Sequence, residues 1–378
     1  MPHPVVDGLE LAPPAPGTNL SPRAFTSPAV FELEQRTIFP SSWVHVCDIG
    51  DLPSPGSYVA ASIGRTPVLV LRDPKSGELR AMLNACRHRG AQLLEGRGTC
   101  DKQIKCPYHA WSYGCDGKLL GVPYREEFPD EVSALALVPV RVGRVGPLVF
   151  ACLDPGAPSL ADWVGELPAA LARANADSWV LGFELTYEIA ANWKLFVENA
   201  NDGYHVPFVH DILTDLLVLG SGSTTLEPHS AYSMATINPN YVPPDSGLVD
   251  PQVRFGSVFP NLIPVLSPTD FTYIRVDPVA HDRLRLFVRS YDVDDPPFRE
   301  FRKLAFQRTT DQDIVVVLRT QQGLHAHGLP PGVHARTFEE RIGHFERLWT
   351  EAMTRELDVT PRTQGANTRR HASLVQTS

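Results

Sequence analysis

The sequence predicts an α+β protein in two parts. An all-β block runs from Trp43 to about Asp154, and a mixed block of helices and longer strands follows it. Three observations carry this prediction. Short Val- and Leu-rich runs separated by Gly, Pro, Asp and Asn fill residues 43–154. Pro155-Gly-Ala-Pro-Ser159 reads as a linker, and helical spacing begins after it. A chain of 378 residues is also too long for one ordinary core. The expected divisions are an arm and helix over 1–42, the β block over 43–155 and the mixed block over 156–378.

The elements follow in order. Residues 1 to about 24 read as a Pro-rich arm, disordered or extended. Ser27-Pro28 pairs an N-cap with Pro at the first helical position, and Pro40 is expected to end that helix. Strands are expected at 67–71, 79–83, 138–142 and 148–153. Asp116-Gly117 is a hairpin signal, because a tight turn needs positive φ. In the second block, 159–176 reads as helical, 182–190 as a strand and 191–219 as predominantly helical. Strands are expected at 257–266, 271–277 and 283–291. A helical region starts at Pro297 and stops near Gly323, and a last helix covers 335–357. Phe338, Ile342, Phe345, Trp349 and Met353 step by three or four and give that last helix one buried face. The tail from Thr360 is polar and expected to be loose.

Composition excludes some functions. The net charge is −9 with no basic block, which argues against nucleic acid or an anionic membrane as partner. No window approaches 18 apolar residues, so no membrane span is expected. The N-terminus lacks a basic segment followed by an apolar one, which points to the cytoplasm. Six cysteines form an even set that fits disulfides, but without a secretion signal metal binding is favoured. Cys47, Cys100, Cys115 and Cys152 are expected to be small buried hydrophobes.

Two constellations carry chemistry. The first is Cys86-Arg-His88 followed by Cys106-Pro-Tyr-His109. Zinc accepts such ligands, but in a zinc finger the histidines follow both cysteines. The alternation Cys, His, Cys, His suits a [2Fe–2S] cluster with two thiolates on one iron and two imidazoles on the other. Neutral imidazoles in place of thiolates make the centre less negative and easier to reduce. Such clusters span roughly −150 to +300 mV, against about −400 mV for four-cysteine ferredoxins.

The second constellation is Asp202, His205 and His210. On a regular helix the two histidines would stand about 140° apart. Pro207 removes a helical donor and clashes with the carbonyl of Gly203, so a break at 203–207 would swing both imidazoles to one side. Asp202 already shares a face with His205. A structural reading is also open, in which the histidines satisfy carbonyls in a kinked helix. Two imidazoles and one carboxylate would leave positions open on Fe(II) for O2 and substrate.

The motifs C-x-H-R-G at 86–90 and C-P-Y-H-A-W at 106–111 resemble the Rieske family. The stretch from Asn192 to His210, N-W-K-x3-E-N-x2-D-x-Y-H-x4-H, resembles the catalytic half of Rieske non-haem iron oxygenase α subunits. The resemblance implies a Rieske [2Fe–2S] domain followed by a helix-grip catalytic domain like those of START and Bet v1 proteins. It implies that Cys86, His88, Cys106 and His109 hold the cluster, and that His205 and His210 hold mononuclear Fe(II). Asp202 then becomes the carboxylate bridging the two centres, in contact with a neighbouring subunit's cluster histidine. The third iron ligand falls in Asp311-Gln-Asp313, which points to Asp313, with Asp311 as a second candidate. Gln312 stands where the family commonly has Glu. Carboxylates near a helix start would also be favoured by the dipole, so a structural role for this pair stays open.

The resemblance further implies small organic substrates, O2, electrons from NAD(P)H through a reductase or ferredoxin, and a homotrimer. Respiratory Rieske proteins link their cluster loops by a disulfide, and Ala91 and Tyr108 at the matching positions rule that bridge out. The spacing within 198–202 leans toward the α-only monooxygenases of choline, betaine and carnitine. Tyr108 and Trp111 are expected to pack the cluster loop, and backbone amides of 87–90 and 108–111 to donate to its sulfides. Trp193 reads as core. Phe208, Ile212, Phe255, Phe259 and Tyr273 are candidates for a substrate pocket, and His325 and His327 read as surface residues. Competing readings are a Rieske-type electron carrier, or a substrate-binding module with a degenerate iron site.

Overall fold

Apolar strands build two large antiparallel sheets, one in each half of the chain. The computed structural model describes residues 3–100, 102–218, 223–241 and 251–355. The first sheet has seven strands in the order Val44–Asp48, Leu148–Cys152, Pro139–Val145, Leu79–Leu83, Thr66–Arg72, Ser57–Ile63 and Arg97–Thr99. A three-stranded sheet of Ile104–Lys105, Ser112–Tyr113 and Leu119–Gly121 stands beside it. Its hairpin turns at Asp116-Gly117, where Gly117 takes φ 84°. Leu69, Leu71, Met82, Tyr113 and Trp111 bury between the two sheets around Cys86 and Cys106.

The second large sheet runs Val180–Ile189, Arg283–Asp292, Asp270–Ala280, Leu262–Leu266, Gln252–Val258, Ser230–Ile237 and Leu217–Val218, with Thr224–Leu226 also on Ser230–Ile237. The helix Trp193–Asn201 lies against it and touches the helices Pro296–Gly323 and Glu340–Arg355. A long antiparallel sheet wrapped against helices fits the helix-grip arrangement. No helix among the described residues is long and apolar enough to cross a membrane.

Two buried polar knots tie the halves together. Glu34, on the helix Pro28–Ser41, accepts from Lys194 Nζ and from the indole nitrogens of Trp193 and Trp349, both at 2.8 Å. Three helices far apart in sequence therefore meet on one carboxylate. Asp48, at the end of the first strand of the seven-stranded sheet, accepts from Tyr273 and Tyr291 of the second large sheet and pairs with Arg289 at 2.9 Å. Buried charge is tolerated here because each oxygen has donors.

Several expectations narrow or change. Of the disordered and extended readings of the N-terminal arm, the described residues take the extended one: Val5–Val6 pairs with Leu9–Glu10, and Leu9, Leu11, Leu20 and Phe25 are buried. Its apolar residues find a ready surface, since the Asn19 amide donates to Gly332 and the Leu20 amide to Glu346. The strand expected at 257–266 is two strands, Gln252–Val258 and Leu262–Leu266, joined by a turn. The helical stretch 191–219 is three short helices, Trp193–Asn201, Val206–Val209 and Asp211–Leu216, with residue 219 outside the described residues. The last helix begins at Glu340, so Phe338 precedes it and is half exposed while Ile342, Phe345, Trp349 and Met353 are buried. The tail from Thr360 lies outside the described residues. Cys100 and Cys115 form a disulfide rather than standing free. Their Cα atoms are 6.6 Å apart because two separate β excursions end side by side, which spacing in sequence does not reveal.

Candidate metal centres

The loops carrying the first motif are built alike. The Cys86 amide donates to the Ala91 carbonyl at 2.8 Å, and the Gly90 amide returns to Cys86 at 2.9 Å. The Cys106 amide donates to Trp111 at 2.8 Å, and the Ala110 amide returns to Cys106 at 3.2 Å. The returning residues, Gly90 and Ala110, both take positive φ, 75° and 58°. Each loop thus turns back on its own cysteine and carries its histidine on the way. Cys86 and Cys106 are buried free thiols. His88 and His109 lie further out, with ring centroids 4.7 Å apart. Trp111 stacks on His88 at 4.8 Å and Tyr108 on His109 at 3.7 Å, as the expected packing roles require. Two buried soft donors below and two imidazoles toward solvent suit a cluster with unlike irons.

The second centre comes from a complete helix break. Trp193–Asn201 ends where Asp202 turns to extended backbone, φ −91° and ψ 114°. The Gly203 amide leaves the helix to donate to Phe338 at 3.1 Å. Pro207 falls in the first turn of the next helix, where its missing N–H costs nothing. His205 and His210 flank that one-turn helix, and their Nε2 atoms stand 3.0 Å apart. Asp313 Oδ1 comes from across the fold, 3.4 Å from His205 Nε2 and 3.1 Å from His210 Nε2. His205, His210 and Asp313 are the one His/Cys/Asp/Glu group among the described residues with three donor atoms that close together.

These separations fit a shared ion. Donors about 2.1 Å from one metal stand about 3.0 Å apart on adjacent octahedral vertices. Asp313 Oδ1 is buried and has no hydrogen-bond donor, as an oxygen facing a cation would. In the metal-free protein, burial pushes the His205 imidazole down, but Asp202 and Asp313 outweigh it and raise the pKa to about 9. Burial opposes ionisation of Asp313, yet its contacts with His205 and His210 hold its pKa below the usual value. Asp311 is exposed and stands outside the group. Neither aspartate lies near a helix start, because both sit in the interior of the 28-residue helix Pro296–Gly323.

Both halves have known relatives. Residues 42–139 match the Rieske [2Fe-2S] domain family. Residues 176–355 match the catalytic domain of the ring-hydroxylating α subunit family. The chain belongs to the Rieske ring-hydroxylating oxygenases.

This Rieske oxygenase chain is 39% identical over 194 residues to the anthranilate 1,2-dioxygenase large subunit of Acinetobacter baylyi, a match covering 49% of this chain and 41% of that protein. It is 35% identical over 197 residues to the glycine betaine monooxygenase oxygenase subunit of Chromohalobacter salexigens, covering 51% and 43%. The matched stretches therefore span less than half of these relatives. Among solved structures, the quaternary ammonium Rieske monooxygenase CntA with L-carnitine superposes with a TM-score of 0.74 at 25% identity, over 89% of this chain and 96% of that one. Naphthalene 1,2-dioxygenase from Rhodococcus sp. shares the fold, with a TM-score of 0.70 at 22% identity, over 89% and 94%. The family implies a [2Fe–2S] cluster and a mononuclear iron.

Asp202 of this oxygenase chain stays apart from the donor group. Its Oδ1 accepts from the amides of Tyr204 at 2.6 Å and His205 at 3.3 Å, and Oδ2 faces His205 Nδ1 at 3.1 Å. Two residues escaped sequence reasoning. The Tyr113 hydroxyl lies 3.2 Å from Cys86 Sγ and accepts from the Arg87 amide at 3.0 Å. The Arg87 amide, expected on a sulfide, is thus committed elsewhere. Gln312 Oε1 stands 3.0 Å from His210 Nδ1. The proposed pocket also loses members. Tyr273 is bound to Asp48, Phe259 is in the core and Phe208 is 75% exposed.

Proposed function

We propose that this chain is the terminal oxygenase of a multicomponent system that uses O2 and electrons from NAD(P)H to oxygenate a small organic substrate. The observation that carries the reading is the convergence of His205, His210 and Asp313 in a chain that also holds the Cys86–His109 motif. The chain divides at about residue 155 into an electron-accepting and a catalytic part. Cys86, His88, Cys106 and His109 hold the cluster, and His205, His210 and Asp313 the mononuclear iron. When bound, the cluster accepts and passes single electrons, and the mononuclear iron supplies O2 activation.

The chain's own residues set the route. Buried Cys86 and Cys106 leave the outer His88 and His109 as the exit toward another molecule. Asp202 bridges from that exit to His205, with two backbone amides fixing its carboxylate. A homotrimer, in which one subunit's cluster histidine meets the next subunit's Asp202, supplies the geometry. A reductase, with or without a ferredoxin, delivers the electrons. The reaction belongs to the cytoplasm, where reduced nicotinamide is made.

The relatives act on aromatic acids, aromatic hydrocarbons and quaternary ammonium compounds, and the substrate is sought in those classes. The test is O2 uptake by the protein with a surrogate reductase and NADH. Anthranilate, naphthalene, glycine betaine and carnitine are compared with no addition. The reading predicts that a member of these classes stimulates uptake and yields an oxygenated product. Reduction and reoxidation of the cluster with no stimulation by any of them favours a plain electron carrier.

A further inference from the structure

We infer that Gln312 is a positioning residue that fixes the tautomer and tilt of His210 through the chain Arg308–Asp211–Gln312–His210. The inference rests on the reading of His205, His210 and Asp313 as a metal centre. His210 is buried, so each ring nitrogen must find a partner in the protein or on a metal. Nδ1 meets Gln312 Oε1 at 3.0 Å, and Nε2 faces the donor group, 3.1 Å from Asp313 Oδ1, where only a shared ion partners both atoms. Adjacent residues of one helix therefore address both nitrogens of one ring.

The direction of the Gln312 amide is set from its far side. Its Nε2 lies 3.4 Å from Asp211 Oδ1, and the other oxygen of that carboxylate pairs with Arg308. An ionised carboxylate only accepts, so the NH2 end of Gln312 belongs on Asp211 and the carbonyl end on His210. A carbonyl only accepts too. His210 Nδ1 therefore carries the proton, and the Nε2 lone pair points into the donor group. Rotating the amide would put NH2 against Nδ1 and leave Asp211 facing an oxygen. Gln312 is also neutral, so it holds the proton on Nδ1 without drawing it away as an anion would. Outer partners of this kind are typically worth about 10–100-fold in metal affinity.

The test titrates Co(II) into protein that keeps its cluster but has lost the mononuclear metal, following ligand-field absorption. Gln312→Leu removes the acceptor at similar bulk, while Gln312→Glu keeps an acceptor and adds charge. The inference expects Gln312→Leu to weaken Co(II) binding about 10–100-fold with cluster absorption unchanged. It expects Gln312→Glu to restore affinity to within a few-fold and to shift the ligand-field bands. Wild-type affinity and bands in Gln312→Leu overturn it, as does a Gln312→Glu protein as weak as Gln312→Leu. His210→Ala separates this from the site itself. If His210→Ala binds Co(II) as wild type does, the metal-centre reading fails and not merely the role of Gln312.

Discussion

Asp202 Oδ2 faces His205 Nδ1 at 3.1 Å, while the Nε2 atom of the same ring points to Asp313 and His210. One imidazole thus separates the two acids, which places Asp202 outside the donor group and in line with it. Asp202→Asn keeps shape and most hydrogen bonding but removes the charge. The expected result is unchanged iron content with substrate turnover down about 10–100-fold, measured as single-turnover cluster reoxidation. Intact turnover in Asp202→Asn contradicts the bridging role.

The metal-free site is proton-linked. The folded pKa of His205, about 9, lies above the unfolded value of about 6.5. Its charged form therefore stabilises the metal-free fold fully below about pH 6.5, and that stability is lost as pH rises through about 9. Metal needs the neutral ring, so binding releases a proton across this window. Co(II) affinity is expected to rise about tenfold per pH unit between about pH 7 and 9 and to level off above. An affinity flat across this range contradicts the assignment of His205 as ligand.

Asp48 ties the two large sheets together. Burial raises its pKa, but the hydrogen bond from His45, the Arg289 guanidinium and the Tyr291 hydroxyl more than offset it, to about 2. With the folded pKa below the unfolded one, the stabilisation is present above about pH 4 and is lost as pH falls through about 2. Asp48→Ala leaves the Tyr273 and Tyr291 hydroxyls without their acceptor, while Arg289 keeps Asp51 and Glu184, and should cost about 1–3 kcal/mol for each orphaned hydroxyl. Thermal denaturation followed in each half checks this. A midpoint within a degree of wild type would show the knot to be incidental.

Cys100 and Cys115 are buried in the same cluster of residues as Cys86 and Tyr113. In a reducing compartment such a pair is held as thiols. Thiol counting of denatured, cluster-free protein prepared without reductant should find two fewer reactive thiols than after reduction, with Cys115→Ser abolishing the difference. An equal count before and after reduction shows that the pair does not oxidise.

Much of this site was legible in the sequence because its signals are local. Cys86, His88, Cys106 and His109 lie in two short loops, and the Gly203–Pro207 break predicts the convergence of His205 and His210. What escaped depends on chain segments meeting from afar. The capture of Tyr113 by Arg87, the Gln312 contact with His210 and the Cys100–Cys115 bond all come from tertiary packing. For the N-terminal arm, too, packing from afar selects the extended reading over the disordered one. Its composition suits a loose segment, but its few apolar residues are buried against the rest of the fold. Asp313 was within reach as a candidate ligand, whereas its place in the interior of a long helix was not.

The central claim is that His205, His210 and Asp313 hold a mononuclear iron beside a separate two-iron cluster. Iron analysis of wild type and Asp313→Ala, each scaled to cluster absorption, tests it most directly. The account predicts about three irons per chain in wild type and about two in Asp313→Ala, with the cluster spectrum unchanged. About two irons in fully loaded wild type, or the same count in both proteins, would contradict it.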